Sequence, residues 1–213
     1  AKAIAAELGY LYIDSGAMYR RVTLFALRKG MAGNGNADRD AIVKTLPEIN
    51  ISFVMNKTTG HYEVSLNGET VEREIRDRAV SDNVSPVSTI AEVRQKMVEL
   101  QRSIGSGGGI VMDGRVIGTG VFPQAELKIF MTASPSIRAQ RRYMELVEKG
   151  LPADLQLVER NIRERDRIDE TREVSPLRKA DDALLLDNSH MTPEEQMVWF
   201  REIFKKRTDE SRD

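Results

Sequence analysis

The chain has 213 residues, room for one large domain or a domain with a small inserted lobe. Its 32 Lys and Arg nearly cancel its 33 Asp and Glu to a net charge of −1, which speaks against a general nucleic-acid or anionic-membrane binder, since both carry a basic surplus. With no Cys and only two distant histidines, His61 and His190, it has no disulfide, thiolate or Cys-zinc chemistry, and histidine metal or acid–base chemistry is unsupported.

No apolar run approaches the ~20 residues of a membrane span, and no secretory segment is visible, so a cytoplasmic protein is expected. Residues 1–8 read as a helix stopped by Gly9. No capping residue precedes Ala1, and we expect an upstream segment to be missing. Residues 10–13 form a short apolar strand ending at Asp14, and Ser15 is expected to cap a helix that closes at Gly30. Residues 33–36 read as loop, and 39–46 as a short helix before Pro47. Ile49, Ile51 and Phe53 alternate with polar residues, as do Tyr62, Val64 and Leu66, which predicts a hairpin turning at 56–60. Asn67-Gly68 favours a second tight turn into a strand near Thr70-Val71.

Ile90, Val93, Met97, Leu100 and Ile104 follow helical spacing, which residues 105–109 break. Strands are expected at 110–112, ending in Asp113, at 127–132 and at 183–186. Ser134-Pro135 opens a helix to Lys149, a charged helix covers 153–170, and Thr192-Pro193-Glu194-Glu195 is a capping box for the last helix. The methionines and the Trp199/Phe200 pair read as core. Short apolar strands alternating with helices imply an α/β fold, a parallel sheet flanked by helices, with ligands bound beyond the carboxyl ends of the strands. A core of residues 1–46 and 105–213, with a helical lid near 134–170, would carry an antiparallel β insert with helices at 47–104.

Arg165, Asp169 and Arg172 share one helix face, as either a solvated ion-pair ladder or a set facing a phosphate or sugar. Arg138, Arg141 and Arg142 crowd another face, where a polyanionic ligand would offset their repulsion. Ser15-Gly16 at a strand-to-helix junction offers backbone N–H groups, with Arg20 one turn on. Asp113-Gly114-Arg115 places a carboxylate and a guanidinium at a strand's end. Together these suggest a pocket for a phosphorylated small molecule.

The string Tyr12-Ile13-Asp14-Ser15-Gly16-Ala17-Met18-Tyr19-Arg20 resembles the acceptor-site motif of bacterial cytidylate kinases, members of the P-loop nucleoside monophosphate kinases. The resemblance resumes at Asp113-Gly114-Arg115, Ile117-Gly118-Thr119, Val121-Phe122-Pro123 and Lys128-Ile129-Phe130. It continues through Arg141-Arg142, Glu164-Arg165-Asp166, Asp169, Arg172, Ser175-Pro176-Leu177 and Ala180-Asp181-Asp182-Ala183. It implies transfer of the ATP γ-phosphoryl to CMP or dCMP with Mg²⁺, in a monomer that binds neither nucleic acid nor membrane. Ser15, Gly16, Tyr19, Arg20, Arg115 and Arg172 would hold the CMP phosphate. Ser85 and Arg94 would read cytosine, and Arg165 and Asp169 would contact the pentose. Arg138, Arg141 and Arg142 would stabilise the transferring phosphoryl from the lid, and Asp113 would orient arginines or the Mg²⁺ shell.

Two departures qualify this. The family's Gly-rich phosphate loop, with its Lys and Ser/Thr, does not occur in the chain, so its first strand and loop are expected to be absent and its catalysis almost nil. Val116 stands where the family motif has Asp, which is expected to relax the preference for CMP over UMP. A catalytically dead nucleotide-binding relative and another small-molecule kinase of the same fold are the rival readings.

Overall fold

The computed structural model describes residues 1–55 and 62–210, and the turn expected at 56–60 lies outside the described residues. The chain forms two compact units, Ala1–Gly114 and Arg115–Asp213.

The first unit opens with α1 (Lys2–Leu8), stopped where Gly9 turns left-handed, and continues into β1 (Leu11–Asp14) and α2 (Ser15–Arg28). The segment read as loop at 33–36 is a minimal hairpin, β2 (Ala32–Gly33) and β3 (Asn36–Ala37). Its turn residues Asn34 and Gly35 both have positive φ, and buried Asn83 accepts from the Gly35 N–H at 2.9 Å. After α3 (Arg39–Thr45), β4 (Ile51–Met55), β5 (Tyr62–Leu66) and β6 (Glu69–Thr70) form the antiparallel insert. The turn between β5 and β6 is the expected Asn67-Gly68, both at positive φ, a conformation Asn and Gly tolerate best.

A helix not expected from the sequence, α4 (Arg78–Ser88), precedes α5 (Ala91–Gly105). Pro86 sits inside α4, only two residues from its end, so few backbone bonds are lost. β7 (Ile110–Asp113) pairs parallel with β1, setting Asp14 beside Asp113 at the carboxyl ends. The core of this unit gathers Ile13, Met18, Val22, Ala26, Ile75, Val87, Val93 and Met97, all nearly sealed from solvent.

The second unit begins with a π-helical turn, Ile117–Val121, followed by β8 (Ile129–Thr132), which pairs parallel with β9 (Leu184–Asp187). Between them run α6 (Pro135–Glu148) and α7 (Leu155–Thr171), which pack on each other. Ser134 caps α6, and Gly150 closes it with bonds from its own N–H to Val147 and from Leu151 N–H to Leu146. The last helix, α8 (Pro193–Glu210), has both arms of the expected capping box: Thr192 N–H donates to Glu195 at 2.7 Å, and Glu195 N–H to Thr192 at 3.2 Å. Phe200 is buried, as expected, but Met131 and Met144 are exposed, which corrects the assignment of all methionines to the core. Parallel pairs and helices, with small antiparallel sheets, make this an α/β fold.

Candidate functional site

In the first unit, the junction of β1 and α2 is built around Asp14. Its carboxylate accepts from Ala17 N–H at 2.9 Å, so Asp14, not Ser15, caps α2. Ser15 is instead the first helical residue; it is buried, and its Oγ donates to the Asp113 carbonyl at 2.6 Å, stitching α2 to β7. A Cβ on Gly16 would stand 3.1 Å from Asp14 Oδ1, so only glycine leaves the capping carboxylate undisturbed. Tyr12, two residues before Asp14, donates its hydroxyl to Asp113 Oδ2 at 3.0 Å. Although Asp113 keeps some solvent access, loss of hydration and then the neighbouring Asp14 raise its carboxyl above the usual range. Burial, then Asp113 and Asp14, likewise raise the Tyr12 phenol.

Two arginines of this unit are unusual. Arg20 is half-buried on α2 and makes neither a hydrogen bond nor an ion pair among the described residues, while the other arginines that lack one are exposed. Arg94 on α5 is only 4% exposed. Its Nη1 donates to the Ser88 carbonyl at 3.1 Å, and its Cζ stands 5.8 Å from the centre of the Tyr19 ring. Its Nε and Nη2 are buried with no hydrogen-bond partner among the described residues. Buried donors are almost always satisfied, so this edge of the guanidinium is suited to a ligand presenting two adjacent acceptors. Ser85 lies half-buried on α4.

In the second unit, several of the candidate arginines are held by the protein itself. Buried Asp169 accepts from Arg172 Nη1 through one oxygen and from Arg115 Nε through the other, both at 2.7 Å. Arg172 also reaches the Ser175 carbonyl at 2.8 Å, and its side chain is 7% exposed. Arg115 is half exposed, and its Nη1 and Nη2 have no partner among the described residues. Arg165 lies exposed one turn before Asp169. Arg138 forms a bidentate pair with Asp166 at 3.0 and 2.7 Å and donates Nε to Ala133, which ties α6 to α7. Arg141 is held by the side chain and carbonyl of Asn188. Arg142 pairs only with exposed Glu145, one turn on. Val116 is buried, and its carbonyl accepts from Gly120 and Val121 in the π turn.

Sequence reasoning missed Tyr12, Asp166 and Asn188. The signal for Tyr12 was available, because residues two apart on a strand share a face and Asp14 was already singled out. Nothing in local spacing pairs Arg138 with Asp166, since they belong to different helices. Among the described residues no group of three His, Asp or Glu could hold a metal ion, and no helix is long and apolar enough to cross a membrane.

A family model described as cytidylate kinase matches residues 1–205. A protein of Phocaeicola vulgatus named cytidylate kinase is 54% identical over 205 residues, covering 96% of this chain and 90% of its own. Proteins with the same name from Parabacteroides distasonis and Porphyromonas gingivalis are 52% and 51% identical, covering 97% and 98% of this chain and 90% of theirs.

Proposed function

Because the chain belongs to the cytidylate kinase family, we propose that it transfers the γ-phosphoryl of ATP to CMP and dCMP, as a monomeric cytoplasmic enzyme. The chemistry needs no covalent intermediate. It needs the acceptor phosphate and the donor held in line, with the developing charge neutralised.

In the first unit, the N–H groups at Ser15-Gly16 and the guanidinium of Arg20 serve the CMP phosphate, with Tyr19 beside them. Ser85 and Arg94 serve the base. Cytosine presents O2 and N3 as adjacent acceptors, which match the open Nε–Nη2 edge of Arg94; uracil has a donor at N3 instead. In the second unit, Arg115 and Arg172 serve the phosphate and are held in orientation by Asp169, which with Arg165 serves the pentose. Arg142 has only a weak exposed pair to give up, so it is the lid arginine most readily turned to the transferring phosphoryl. Arg138 and Arg141 act from fixed positions.

Mg²⁺ binds such sites through one or two carboxylates, retained waters and substrate phosphates, and Asp113 is the carboxylate suited to its water shell. When bound with ATP, the ion neutralises phosphate charge.

The observation that most supports the reading is Arg94, a buried guanidinium whose Nε and Nη2 have no acceptor among the described residues. The test combines calorimetric titration with CMP and an assay for CDP formation from ATP and CMP. We expect CMP binding by the chain, and CDP formation when the family's Gly-rich phosphate loop precedes it. Binding without turnover in that loop-bearing form would favour the dead nucleotide-binding relative, and binding of neither CMP nor dCMP would overturn the reading.

A further inference from the structure

We propose that Tyr19 sets base specificity through its ring, by fixing the plane of the Arg94 guanidinium, so that its part in recognition is positioning and not hydrogen bonding from its hydroxyl. This rests on the reading that Arg94 takes the base, and it reassigns Tyr19 from the phosphate to the base.

Among the described residues Arg94 has a single hydrogen-bond anchor, Nη1 to the Ser88 carbonyl at 3.1 Å. One such bond fixes a point and leaves the guanidinium plane free to pivot about it. The second restraint is the Tyr19 ring, which approaches from α2 and faces Arg94 on α5 with 5.8 Å between Cζ and the ring centre. Attraction between a guanidinium and an aromatic face strengthens when water is excluded, and Arg94 is 4% exposed. Ring and carbonyl together aim Nε–H and Nη2–H in one direction.

The consequence is selectivity. A fixed pair of parallel donors accepts cytosine at O2 and N3 but opposes the N3–H of uracil. A guanidinium free to pivot can turn away from that N3–H and keep the O2 contact alone. Losing the ring therefore relaxes discrimination more than it weakens CMP binding. Tyr19 also adjoins Arg20, so α2 carries the base-positioning ring and a guanidinium proposed for the phosphate on consecutive residues.

The experiment is calorimetric titration of CMP and UMP, without ATP, into the unaltered protein and into Tyr19→Phe, Tyr19→Leu and Tyr19→Met. We expect Tyr19→Phe to keep the ratio of the two dissociation constants. Both non-aromatic variants should lower it by about tenfold, with UMP binding falling least. Two non-aromatic replacements of different shape guard against one that fails to fold. An unchanged ratio in whichever of them folds would overturn the proposal. So would an equal weakening of CMP and UMP in Tyr19→Phe, which would assign Tyr19 to the phosphate through its hydroxyl. Equal affinity of the unaltered protein for CMP and UMP would instead overturn the assignment of Arg94 to the base, whatever Tyr19 does.

Discussion

Two candidate arginines of the first unit differ from those of the second. In the first, Arg94 and Arg20 have open hydrogen-bonding groups, and Arg94 is left so inside the core. In the second, Asp169 holds Arg115 and Arg172, Asp166 holds Arg138, and Asn188 holds Arg141. A donor with no partner disfavours the empty state and gains its full hydrogen bond only when a ligand arrives. A guanidinium held by a carboxylate is oriented beforehand, and part of its charge is already compensated. The open arrangement suits discrimination between bases, and the held one suits steering of phosphate charge.

The contrast is broken most directly at Arg94. We expect Arg94→Met to weaken CMP binding by about 100-fold, two charged hydrogen bonds at roughly 1.5 kcal/mol each. The urea midpoint should stay the same or rise, because two unsatisfied buried donors leave with the side chain. A large fall in the midpoint would make Arg94 a structural residue.

At Asp169 the expected signs differ. Asp169→Asn leaves the nearly buried Arg172 without its counter-charge, which should destabilise the fold by about 3 kcal/mol. In a form that carries the family's phosphate loop, CDP formation should slow at least about tenfold. Unchanged stability and rate would show that the Asp169 carboxylate holds neither the fold nor the site.

The smallest effect is sought at Asp113, whose carboxyl burial and Asp14 hold above its ordinary 3.8. A raised carboxyl favours the protonated folded state, so its contribution is fully present below pH 3.8 and is lost as pH rises through the folded value. At neutral pH, Asp113→Asn should therefore melt slightly higher than the parent. The gap should close as pH falls toward 4, and thermal melts across that range measure it. A gap that widens on acidification would show that Tyr12 outweighs Asp14 in setting this carboxyl.

Most helices and strands were legible because the signals are local: the Gly9 and Gly150 stops, the capping box at Thr192, the Asn67-Gly68 turn. The misses have physical reasons. α4 lacks a side-chain cap and contains Pro86, and what holds it is packing of Val80, Val84 and Val87 that no local rule anticipates. Ser15 and Asp14 are both good caps, and the contest is settled by the Asp113 carbonyl, 98 residues away, taking the Ser15 hydroxyl. The Arg165, Asp169, Arg172 spacing was visible, but Arg115 as a second partner of Asp169 required the tertiary fold.

Arg21, next to Arg20 on α2, is completely buried: its Nε and Nη2 reach the Val64 carbonyl of β5, Nη1 the Ala17 carbonyl, and Nη2 also Glu72. Peeling the insert from α2 would strand a guanidinium in an apolar setting, a step far less favourable than fraying an ordinary hairpin. The insert and the helix carrying the acceptor-site motif should therefore open as one cooperative block. Amide protons of β5 and of central α2 should exchange with deuterium at matching rates, and Arg21→Met should let β5 exchange first.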